Sequence, residues 1–356
     1  IGAGVFVLTG IAAATKAGPA VVLAYMIAGT AAMFAALAYA ELAASIGGSG
    51  SAYSYAYAGF GELIAWIIGW NLILEYMMAV STVAIGWSGY INNFLVAVHI
   101  QLPNYLVNNI FEGGYINLLA FLVIALIAIV LSIGVKESTR VNNVIVVIKL
   151  LTVALFISVA CLNINPSHWS NFMPFGWSGV IHGAALVFFA YIGFDALSTT
   201  AEECIHPQRS IPVGIIVSLT VCTLIYIIVS GLLTSIAPFD TLNVSSPVAN
   251  ALLNLGYQKM AGIIAVGAVA GLTTVILVMF YGLTRICLAI ASDGLLPTAL
   301  ARINPNSHTP IRLILISGII MGLIAGFVPI DKAAELVNIG TLAAFTFVCL
   351  GVIVFR

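Results

Sequence analysis

Apolar runs of about 20 residues recur along the whole chain, the length an α-helix needs to cross the hydrocarbon core of a bilayer. Read on that rule, the sequence gives a half-span at 1–17. Spans follow near 19–44, 61–88, 116–134, 140–163, 179–203, 211–237, 261–290, 312–328 and 333–355. Only 6% of the 356 residues are charged, against about 25% in a soluble domain. Water is therefore not the solvent around most of this surface. The expected fold class is an all-α polytopic protein of the cell membrane, with the lipid bilayer as its main partner. A formal net charge of −1 leaves no basic patch to meet phosphates, which argues against nucleic acid.

The five cysteines and five histidines are scattered and show no metal-ligand spacing, so no cofactor or metal is expected. Nothing at membrane depth pairs a nucleophile with a base, so the chain does not read as an enzyme. The opening residues look like the middle of a span, and Arg356 follows directly on an apolar run. The sequence is therefore expected to be truncated at both ends.

Basic residues set the orientation. With the first half-span running outward, Lys136, Arg140, Arg209, Arg285, Arg302, Arg312 and Arg356 fall on the cytoplasmic side. Lys16, Lys259 and Lys332 then fall outside, in accord with the excess of positive charge on cytoplasmic loops. Residues 1–163 hold spans 1–5, the first partial. An outer connection covers 164–178, and 179–356 hold spans 6–10. Five is odd, so the second half enters from the opposite side and an inverted repeat becomes available. The sequence pointer to such a fold is an interrupted hydrophobic segment in each half.

Both interruptions are present. Ile1-Gly2-Ala3-Gly4 opens the first span, and Tyr191-Ile192-Gly193-Phe194-Asp195-Ala196 lies inside the sixth. Irregular backbone at membrane depth is tolerated only where it is buried or lines a polar cavity. The head of a helix presents free N–H groups and a positive dipole end, which suit an anion. Freed carbonyls at the second break suit a cation. A zwitterion fits the pair, carboxylate on the first break and ammonium on the second.

Several blocks, in order, resemble the amino acid–polyamine–organocation superfamily. The closer resemblance is to the bacterial branch of its cationic amino acid transporter family. They are "IGAGVFVLTG" (1–10), "AALAYAELAASIGGSGSAYSYAYAGFGE" (35–62), "ILEYMMAVSTVAIGWSGY" (73–90) and "FFAYIGFDALSTTAEE" (188–203). "HPQRSIPVGI" (206–215), "LNVSSPVANAL" (242–252) and "ASDGLLP" (291–297) also match. The resemblance implies a five-plus-five inverted-repeat transporter fold with discontinuous spans 1 and 6. It implies that Ile1, Gly2, Ala3, Gly4 and Val5 offer backbone contacts to the substrate. Phe194, Ala196 and Leu197 would bound the amine side, with Phe194 as an aromatic gate. Met279 matches a pocket-lining position where a methionine would shorten the pocket. Small neutral amino acids such as alanine are therefore expected, with arginine or lysine as the alternative.

Charges inside the membrane cost roughly 2.5–3.5 kcal/mol each on insertion scales and mark function by default. Lys149 sits midway along span 5, and Glu75 lies at similar depth in span 3. In sodium-coupled relatives of this fold an ion lies between spans 1 and 8, and the resemblance makes Lys149 its built-in replacement. A buried ammonium can shed its proton, so Lys149 and Glu75 are the candidates for proton coupling. Glu75 could pair with Lys149, relay a proton, or bond to freed backbone. Asp195 suits an N-cap for the helix after the break, with a contact to the substrate amine as the alternative. The expected function is a proton-coupled secondary transporter working by alternating access. An amino acid sensor that binds without transport is the competing class.

Overall fold

The computed structural model describes residues 1–45, 52–97, 99–134, 139–195, 206–297, 299–300, 302–305, 307 and 309–355. The apolar runs are helices. After an opening segment (Gly4–Leu8, Thr9–Ala12 and Ala13–Ala17) come α1 (Val21–Ser45), α2 (Ala52–Phe60), α3 (Glu62–Ala97) and α4 (Leu118–Ile133). There follow α5 (Thr139–Cys161), α6 (Gly176–Val187), α7 (Pro207–Ile236), α8 (Pro247–Asn254), α9 (Gln258–Ser292), α10 (Ile311–Phe327) and α11 (Ile330–Phe355). No β-strand occurs among the described residues beyond one isolated bridge between Asn109 and Tyr115.

The faces of α4 show why these helices carry no amphipathic signal. Val123, Ile124, Ile127, Ala128 and Leu131 are buried, while Leu122, Leu126, Ile129 and Ile133 are exposed. Both faces are apolar because one meets protein and the other meets lipid. The start of α4 is set by Asn117, whose side chain accepts from the Ala120 amide at 3.1 Å. The same side chain donates to Ser88 Oγ at 2.7 Å, fixing α4 to α3.

The stretch Gly4–Ala43 is strongly apolar, yet 40 helical residues would reach about 60 Å, twice the hydrocarbon core. It divides at Gly18, whose φ of 62° no ordinary helix continues, followed by Pro19. Helices α3 and α9 run 36 and 35 residues, longer than a perpendicular crossing requires, so they tilt or project. These two helices pack along each other, with α11 against α3 and α5 against α9. On the other side α1 lies along α6 and α7.

Several boundaries differ from the sequence reading. Span 3 runs on to Ala97 rather than 88, because a helix continues past the hydrocarbon through Asn92 and Asn93. Span 7 starts at Pro207 rather than 211, where proline suits the first turn. Span 6 was expected over 179–203. Its helix begins at Gly176 and its last tight turn (Phe188–Tyr191) ends at Tyr191. Residues 196–205 lie outside the described set. The connections between spans also hold short helices that hydropathy alone did not indicate, among them α8 and Asn104–Val107.

Candidate functional site

The opening segment and the end of α6 meet in the interior. The helical winding of α6 stops within the apolar run: Ile192 is extended (φ −62°, ψ 138°) and Gly193 has φ 105°. The opening segment is wound wider than an α-helix over Gly4–Leu8, and Phe6 N–H donates to the Gly2 carbonyl at 3.2 Å. A Cβ placed on Gly4 would overlap Cα and Cβ of Ala190, so the two segments touch at that glycine. One placed on Gly2 would stand 3.1 Å from Val275 Cγ2 on α9.

The wider winding keeps a backbone bond from the Thr9 N–H to the Gly4 carbonyl, and for the further donors that such carbonyls can take lipid offers none. Tyrosines from neighbouring helices supply them. Tyr25 of α1 donates to the Gly4 carbonyl at 3.0 Å, alongside Thr9 Oγ1 at 3.1 Å. Tyr90 of α3 donates to the Phe6 carbonyl at 2.8 Å, and Tyr226 of α7 to the Ala190 carbonyl at 3.0 Å. Tyr191 returns the contact by donating to the Tyr25 carbonyl at 3.0 Å. Asn338 of α11 donates to the Ala185 carbonyl at 2.6 Å, near the end of α6.

Beside this junction is a cavity of about 300 Å³. Ile1 lines it from the opening segment, and residues 190–194 from the break. Helix α5 contributes Lys149, α7 contributes Ser218, Cys222 and Tyr226, and α9 contributes Thr274, Val275 and Met279. Of the residues singled out in the sequence, Ile1, Phe194, Met279 and Lys149 reach this cavity. Gly2 and Gly4 touch two of its lining residues, Val275 and Ala190. Ala3 turns its methyl toward Gly86 of α3, and Val5 is buried without reaching the cavity. Ala196 and Leu197 lie outside the described residues. The Phe194 ring stands edge-on to Tyr39, centroids 5.5 Å apart, and 5.1 Å from Phe345.

Glu75 and Lys149 do not meet. Lys149 faces the cavity, whereas Glu75 is fully buried between α3 and α11. It lies beside the Thr341 hydroxyl, and neither carboxylate oxygen makes a well-formed hydrogen bond. Asp195 takes up the backbone of the break itself: Oδ1 accepts from the Gly193 amide at 3.2 Å and Oδ2 from the Tyr76 hydroxyl at 3.0 Å. The expected cap on the following helix falls among residues outside the described set. At one end of the bundle Glu335 lies 4.0 Å from Lys16 and 3.3 Å from Lys332, so those two lysines share a face.

The wall contributed by α7 was missed in the sequence. Ser218, Cys222 and Tyr226 recur every four residues, one polar or polarisable stripe on a predominantly apolar helix. That spacing was the available signal.

The family model described as "Amino acid permease" matches residues 1–356. The chain is 49% identical to a methylthioribose transporter of Bacillus subtilis, over all of this chain and 78% of that protein. It is 48% identical to the branched-chain amino acid permease BcaP of the same organism, over all of this chain and 77% of the relative. A vacuolar cationic amino acid transporter 4 of Arabidopsis thaliana is 36% identical, with 60% of its length covered.

Proposed function

The chain belongs to the amino acid permease family, a multi-pass membrane protein, and on that premise we propose that it carries small neutral L-amino acids such as alanine together with a proton. The observation that carries this reading is the cavity at the junction of the two interrupted segments. Its volume of about 300 Å³ is at the lower end of small-molecule sites. Among the described residues Lys149 is the one formally charged side chain lining it, and no carboxylate does. A cationic side chain would meet like charge there, and a neutral one would meet Met279, Val275 and Ile192. The relative named for branched-chain amino acids fits this preference, since such side chains are neutral.

The substrate carboxylate is assigned to the amides at the head of the opening segment, and the ammonium to carbonyls at the break. The bundle holding these segments rocks against the remaining helices and opens the site to each side in turn. The two repeats would be 1–163 and 179–356, joined by 164–178. Lys149 and Glu75 are the proton-coupling candidates. The proton biases the equilibrium by binding one state better than the other. The protein is assigned to the cell membrane.

Uptake of radiolabelled alanine into proteoliposomes under an imposed pH gradient tests the reading. Accumulation that collapses with a protonophore supports it, and alanine binding with no counterflow would make the chain a sensor. Arginine competing better than alanine would reverse the substrate assignment. Lys149→Ala should cut gradient-driven accumulation about tenfold, within the range of coupling between two bound ligands. Full accumulation in that variant would remove Lys149 from the coupling.

A further inference from the structure

Lys149 and Thr152 leave α5 three residues apart and therefore on one face. That face lies on two glycines of α9 that are four residues apart, Gly267 and Gly271. A Cβ at Gly267 would overlap Thr152 Oγ1 and stand 2.8 Å from its Cγ2. A Cβ at Gly271 would stand 3.0 Å from Cε, 3.1 Å from Cγ and 3.4 Å from Cδ of Lys149. The lysine stem thus lies flat across the bare backbone of Gly271. Its far end faces the cavity that Ile1, Cys222 and Thr274 also line.

We propose that Gly271 is a positioning residue for the Lys149 ammonium: its missing side chain sets how far the lysine head reaches toward the opening segment. This rests on the reading that Lys149 serves transport. The stem is flexible, so a methyl at 271 would shift it, and the amine it carries, by a few tenths of an ångström without removing the amine. Gly267 makes the same kind of helix contact one turn away but touches Thr152, which does not line the cavity. It separates positioning of the lysine from mere closeness of the helices. The titratable side chain facing Lys149 from α7 is Cys222, and Tyr191 and Tyr226 line the same cavity. Helix α9 presents no titratable group to that cavity.

The test is a cycle of Gly271→Ala and Lys149→Ala, alone and together, in proteoliposomes. Gly267→Ala, alone and with Thr152→Ala to make room, serves as the packing control. Gradient-driven alanine uptake is read across external pH, and alanine affinity is measured separately. Gly271→Ala should lower uptake by roughly fivefold and move the pH profile. The same change should add nothing once Lys149 is alanine, since contacting residues are non-additive. The Gly267 variants should leave the profile where it is. Equal loss from Gly271→Ala with and without the lysine, or a matching shift from Gly267→Ala, would overturn the proposal. Full uptake in Lys149→Ala tells against the coupling role alone. A Gly271 effect that still requires the lysine then leaves the positioning role standing.

Discussion

Gly4 and Gly193 stand one in each interrupted segment, and they are glycine for different reasons. Gly4 has a φ open to any residue, and what forbids a side chain is the backbone and methyl of Ala190 pressed against it. Gly193 has almost open space, with Met279 Sδ 3.7 Å from where a Cβ would be, but its φ is 105°. The first is a steric demand from a neighbour, and the second is a demand of the chain on itself. A helix can therefore be interrupted beside a cavity in two ways: by letting another element approach, or by turning its own backbone.

Substitutions separate these demands. Gly4→Leu should have the largest effect, because Ala190 belongs to the cavity wall and its backbone has nowhere to go. Alanine affinity should fall at least tenfold, and overpacking should cost about 1–3 kcal/mol or more of stability. Unchanged binding, by isothermal titration on purified protein, would mean that the junction has been misplaced. Gly193→Ala comes next, at about 1–2 kcal/mol from the left-handed backbone alone. Adding Met279→Ser should not recover its melting temperature, since the strain is not a collision. Recovery would make Gly193 a second steric site and erase the contrast.

Met279→Ser by itself should leave alanine affinity within about threefold and admit longer side chains, because the removed atoms fill the cavity. An unchanged competition profile would take size selection away from Met279. The smallest effect belongs to Gly2→Ala. Its Cβ would lie 3.1 Å from one methyl of Val275, which can rotate away, so stability should change by no more than about 0.5 kcal/mol. A loss as large as that of Gly4 would show that Gly2, too, is pinned by backbone.

The spans and the second break were legible because hydropathy and a glycine beside a carboxylate are local signals. Ile1, Lys149, Phe194 and Met279 come together at one cavity, but the pattern of residues alone did not show that Glu75 sits apart from it. The partner of a buried charge depends on how helices rotate about their axes, and both faces of these helices are apolar. The short connecting helices were hidden for a related reason. Asn109 holds its turn by accepting from the Phe111 and Glu112 amides at 2.9 and 3.0 Å, a hold too local to register in hydropathy. Surface-exposed Glu112 beside it has its carboxyl raised above the usual range, chiefly by partial desolvation against its neighbours. The α7 wall was legible in principle, since Ser218, Cys222 and Tyr226 repeat at one helical turn.

The phenols that reach across to Gly4, Phe6 and Ala190 have a mechanical consequence. A hydroxyl swivels about its own bond, whereas a peptide N–H is fixed in its ring of helix bonds. Trading one such acceptor for another changes the free energy by only about 0.5–1.5 kcal/mol. The opening segment and the end of α6 are therefore sewn to their neighbours by stitches that slip, and bending there stays within reach of thermal motion without unravelling either helix.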